Sequence, residues 1–271
     1  MSEWIKIAFF AILLTGAGYF FGTTTKEIGL AYTLLLAPSK ELLIQLLKFL
    51  LAAGVFMVGA GLVAALFRPV WIGFIAFSLA GLAMLFGWQI SLDHGFVVLV
   101  YLLTAFLYTT GVAKELDARI RFSVRPISEG QTTLIMGLIF VVCGSIFFSF
   151  KTHVDREGFS IPEAYIEIFT QQMERQIEDR MPMEEAQEAV AQFEMEFSRS
   201  VEEYSERMLK PYERFIPIGI AAGIFMSLVT ITKLLTWLPA IVLSFVFRLL
   251  QAVGVTKVLR ETEEVESLVI Y

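Results

Sequence analysis

His94 and His153 are the only two imidazoles in the chain. Each stands among carboxylates: Asp93 precedes the first, and Asp155 and Glu157 follow the second. Imidazole and carboxylate are common ligands for zinc and similar ions, and imidazole also exchanges protons near neutral pH. If the turn around Asp93 meets the segment after Phe150, these residues form a candidate metal or proton site. Nothing in their spacing forces that meeting. The plainer reading is ordinary polar residues at a membrane surface, so no cofactor is expected.

No other chemistry is spelled out. The chain has no HExxH, GxSxG, GxxxxGK[ST] or CxxC pattern. Its one cysteine, Cys143, sits in an apolar run and reads as a small buried hydrophobe. There is no asparagine, which removes N-glycosylation. An enzyme is not expected.

The elements that must carry these residues are unusual. Six stretches lack Asp, Glu, Lys and Arg: Ile7–Thr25, Phe49–Phe67, Pro69–Leu92, His94–Ala113, Gly130–Phe150 and Phe215–Thr232. A helix of about 20 apolar residues crosses a hydrocarbon core of about 30 Å. A crossing backbone must satisfy its own hydrogen bonds, which helices do. The fold class is therefore all-α, a polytopic membrane protein with about six spans. A composition that is 56% hydrophobic, with mean hydropathy +0.69, fits burial in lipid.

The spans are expected at Trp4–Phe21, Leu46–Phe67, Val70–Trp88, Phe96–Ala113, Thr133–Phe150 and Phe215–Lys233. The first reads as a retained anchor, because Met1–Lys6 is hardly positive and no A-x-A site follows. Residues 28–37 form too short an apolar piece to cross and are expected to lie at the interface. Residues 1–150 thus make a membrane body, 151–214 an inserted water-facing domain, 215–233 span six, and 234–271 a surface helix and tail.

Charge divides the chain along the same lines. Residues 151–214 carry 16 acidic and 8 basic side chains, while the remainder carries 11 and 13. That pattern argues against nucleic acid, whose binding needs clustered Lys and Arg. The densest short basic loop, Lys114–Thr132, is assigned to the cytoplasm by the positive-inside rule. The acidic domain then falls outside, on what is read as a prokaryotic plasma membrane.

The acidic domain is expected to be a helical hairpin. Ser160-x-x-Glu163 is a capping box for one helix, and Met181-Pro182 ends it. In the second, Val190, Phe193, Phe197, Val201 and Tyr204 recur at spacings of three and four, close to a heptad seam. Two amphipathic helices with a short break suggest antiparallel packing.

Small residues recur four apart at Gly18 and Gly22, at Gly61 and Ala65, and at Gly219, Gly223 and Ser227. Such spacing lets helices approach closely, within one subunit or between two. Near the end, Ser244, Arg248 and Gln251 share one face of the apolar run Leu234–Val255. The expected arrangement is an amphipathic helix along the cytoplasmic surface, with a seventh span as the alternative.

No acidic residue falls at mid-depth in any span, which counts against transport of protons or charged solutes. The sequence therefore suggests an integral membrane scaffold, accessory subunit or assembly factor. Its partners would be the lipid bilayer and a protein, or a second copy of itself, met through the acidic hairpin. The alternative is a transporter or channel for a neutral or lipid-like solute.

Overall fold

The computed structural model describes residues 3–31, 40–119, 123–159, 170–171, 183–235 and 237–256. Among them the secondary structure is helical throughout. The helices are α1 (Glu3–Leu30), α2 (Lys40–Leu66), α3 (Val70–Trp88), α4 (Leu92–Asp117) and α5 (Arg125–Glu157). α6 (Met183–Tyr204) follows, then a π turn at Ser205–Leu209 and a 3-10 turn at Lys210–Phe215. α7 (Ile216–Leu235) and α8 (Trp237–Ala252) end the described chain. Among the described residues, six helices are long and apolar enough to cross a membrane: α1 to α5, and the helical stretch Arg207–Lys233.

The helices alternate in direction, as contacts between them show. Gly18 lies on the carbonyl of Ala80 and Gly22 on that of Met84, so α1 and α3 run parallel with α2 returning between them. A side chain at either glycine would collide with backbone, which is why only glycine serves there. Thr104 faces Gly137 and Tyr108 faces Gly130, which makes α4 and α5 antiparallel. The ends therefore gather on two faces. One carries Lys6, Arg68, Asp117 and Arg125; the other carries Leu30, the Gln89–His94 turn and Glu157.

Aromatic rings fill the middle. Phe21 contacts Phe49 and Phe56 at centroid distances of 6.3 and 6.2 Å, and Phe56 meets Tyr101 edge-on at 5.8 Å. Edge-to-face rings suit the ring quadrupole and leave few voids. The buried polar groups mostly bond to carbonyls nearby. Thr109 Oγ1 donates to Ala105 O at 2.6 Å, and Gln131 Nε2 crosses from α5 to Met57 O at 2.9 Å.

Three boundaries depart from expectation. α1 does not stop at Phe21 but continues through Lys26 and Glu27 to Leu30. Thr23 and Thr24 return their hydroxyls to Phe20 O at 2.8 and 2.9 Å, so these two polar side chains are satisfied inside the helix. Lys48 then reaches Glu27 at 2.7 Å, which places the charges together at the bundle's edge. Residues 28–30 of the expected interfacial piece are thus the end of α1; most of the rest lies outside the described residues. α5 continues past Phe150 to Glu157, and its 33 residues extend about 50 Å, well beyond a hydrocarbon core.

The third departure is α8. Pro239, Leu243 and Phe247, four apart, are its buried face. Leu238 and Pro239 line a groove with Leu50, Leu51, Gly54 and Ile135, which are interior positions of α2 and α5. Beyond α8, the carbonyl of Val255 accepts from Lys6 Nζ at 2.7 Å, at the Arg125 face. α8 therefore runs from the level of interior positions of α2 and α5 to the face that carries Lys6, with one side packed on protein. Arg248 and Gln251 stay exposed on the opposite side, and the Ser244 hydroxyl bonds within the helix to Ala240 O at 2.8 Å. Arg248 is thus not a charge buried in protein.

Candidate functional site

The turn between α3 and α4 positions Asp93 and His94. Ser91 caps α4, its hydroxyl accepting from the His94 backbone N–H at 3.2 Å. The same hydroxyl contacts His94 Nδ1. The imidazole ring meets Trp88 edge-on at 4.0 Å and Phe148 at 5.4 Å. It thereby ties the end of α3 and the start of α4 to α5.

On α5, His153 Nδ1 lies 3.5 Å from Glu157, and Lys151 lies 3.5 Å from Asp155, both one turn apart. The two sequence-predicted histidines do share one opening. A cavity of about 730 Å³ is lined by Asp93, His94, Lys151, His153, Arg156 and Glu157, among others. Yet no group of three His, Cys, Asp or Glu side chains that could hold a metal occurs among the described residues. The juxtaposition suggested by the sequence exists, with the geometry of a polar surface cavity.

The seam residues fall on α6. Phe193 and Phe197 stack at 5.5 Å with an interplanar angle of 15°. Val190, Phe193, Phe197 and Val201 are half-buried, whereas Tyr204 is exposed. The first helix expected in the hairpin lies mostly outside the described residues. α6 passes through its π and 3-10 turns directly into α7, so this described part of the acidic segment is continuous with a candidate membrane helix. At that junction Glu213 accepts a hydrogen bond from the Phe159 backbone N–H. Gly158, with φ of 77° and ψ of 170°, ends α5 just before it.

The small residues separate into two groups. Gly18 and Gly22 are consumed in packing α1 on α3, and Gly61 lies against Leu243 and Gln131. Gly219 and Gly223 have nothing within reach of an added methyl, and with Ser227 they form an exposed face of α7.

Two features escaped the sequence. One is a groove of about 360 Å³ between α1, α2, α5 and α7. The other is Gln45, whose Oε1 is buried without a hydrogen-bond partner at that groove. A glutamine between the apolar pairs Leu43-Ile44 and Leu46-Leu47 was the available signal. The groove itself depends on how far α7 stands from α2, which no residue pattern states. No protein family, curated protein or solved structure matches this chain.

Proposed function

We propose that this protein is a non-enzymatic membrane scaffold, accessory subunit or assembly factor. It presents the acidic segment 151–214 to a protein partner on the outer side of the membrane. The observation that carries this reading is the unbroken path from α6 through two tight turns into α7. A helix continuous with a membrane span holds its surface at a fixed height and orientation. A flexible tether would not.

Three further observations support it. Met195, Tyr204 and Met208 are large apolar side chains exposed along this arm. Exposed apolar groups on an otherwise charged helix are the composition of a contact surface. The net charge of -8 over residues 151–214 favours a basic partner and speeds its encounter. The interior of the bundle is packed with rings and aliphatic side chains, and its described side grooves are largely apolar. Passage of a polar solute would need a polar path instead.

Purification of the full chain in mild detergent from its own membrane tests this. A partner in fixed proportion is expected, and joint replacement Glu196→Gln, Glu203→Gln and Met195→Ser should weaken its retention. Recovery of the chain alone, together with solute flux in reconstituted vesicles, would favour transport.

A further inference from the structure

The polar cavity and the apolar groove are neighbours along α5. Val142 and Ile146 line the groove; Ser149, His153 and Arg156 line the cavity. At 3.6 residues per turn these five positions share one side of the helix. That stripe is apolar at the depth of the bilayer and polar at its end. Trp88, itself buried, packs on His94 and fixes that ring at the cavity wall. Leu30, Phe147 and Phe148 add an apolar lip to the cavity.

The charges in the cavity have both signs. Arg156 and Asp93 line it, and neither forms an ion pair among the described residues. Lys151 and Glu157 add one charge of each sign, each already near a neighbour on α5. A simple anion would leave Asp93 unmatched, and a simple cation would leave Arg156 unmatched. A head carrying both charges matches both. Gln45, about one and a half turns into α2, supplies a polar group at the depth where ester linkages lie.

We infer that the cavity and groove together bind one zwitterionic phospholipid. Its phosphate meets Arg156, its ammonium meets Asp93, and one acyl chain lies between α2, α5 and α7. This inference does not rest on the scaffold reading, since a lipid can be held with or without a protein partner.

The test uses the full chain, stripped of lipid in detergent and examined by native mass spectrometry. Mixed micelles supply either phosphatidylethanolamine or phosphatidylglycerol. One phosphatidylethanolamine should be retained per chain, about tenfold more tightly than phosphatidylglycerol, as expected for one charge-assisted contact. Arg156→Gln with Asp93→Asn should remove that preference. Ser227→Phe, which narrows the groove from the exposed face of α7, should weaken retention of both lipids while the chain stays folded. Equal retention of the two lipids by the native chain would overturn the inference. So would retention of phosphatidylethanolamine unchanged in both variants.

Discussion

Glu213 accepts a hydrogen bond from the backbone N–H of Phe159, 54 positions earlier in the chain. That one contact closes the base of the acidic insertion, because Phe159 follows α5 and Glu213 precedes α7. The insertion thus leaves and re-enters the bundle at one point, and the carboxylate holds the two strands of chain together there.

Gly158→Ala tests this junction. Its φ of 77° and ψ of 170° belong to a region open almost only to glycine, and an added methyl would sit 3.3 Å from Glu213 Oε1. The expected cost is about 1–3 kcal/mol, localised at the junction. Glu213→Gln keeps the size but weakens the acceptor. It should speed hydrogen exchange at the Phe159 amide several-fold and leave exchange within α2 unchanged.

The glycines give a contrast within one molecule. Gly22→Ala drives a methyl into the Met84 carbonyl and should cost about 1–3 kcal/mol by overpacking. Gly223→Ala meets nothing and should be neutral or slightly stabilising, since alanine favours helix. Unfolding in mixed micelles measures both. Equal losses would mean that α7 is packed as tightly as α1.

In α6 the stacked pair Phe193 and Phe197 is half-buried rather than fully enclosed. Full burial would make truncation to alanine cost about 3–5 kcal/mol. Half-burial lowers the expectation to about 1–2 kcal/mol on the same scale. Limited proteolysis should show faster cleavage of the segment in Phe197→Ala than in the exposed controls Glu196→Gln and Glu203→Gln.

Much of the fold was legible because lipid demands so much of a sequence. Runs such as Val70–Trp88 have no charge to misplace, and α3 has those ends in the structure. The helix ends were less legible. Thr23, Thr24, Lys26 and Glu27 look like a loop by polarity, yet the hydroxyls bond inside α1 and the charges reach the edge. That His94 and His153 line one cavity depended on the arrangement of α3, α4 and α5. Spacing offered it as a possibility and could not show that the ring of His94 is held by Ser91, Trp88 and Phe148. α8 was legible in part. Its polar stripe is real, but Pro239, Leu243 and Phe247 find protein rather than lipid on the opposite face.

Charge bias gives an expected sidedness, which labelling checks. Cys143 is buried and can be replaced by alanine to give a cysteine-free background. Ser200→Cys, on the exposed side of α6, should react with an impermeant maleimide in intact cells. Ala118→Cys, exposed at the end of α4, should react only after the membrane is opened. The reverse pattern would place the acidic segment, and its partner, in the cytoplasm.

If the proposed function holds, α6 meets a protein. A photo-reactive amino acid at Met195, which is 72% exposed on α6, tests it most directly in the native membrane. Phe86, 69% exposed on the outer surface of α3, is the control of equal accessibility. One discrete cross-linked protein species is expected from Met195, lost when Glu196 and Glu203 are neutralised, and none from Phe86. Cross-links to lipid alone from both positions, in cells where the chain is folded, would contradict it.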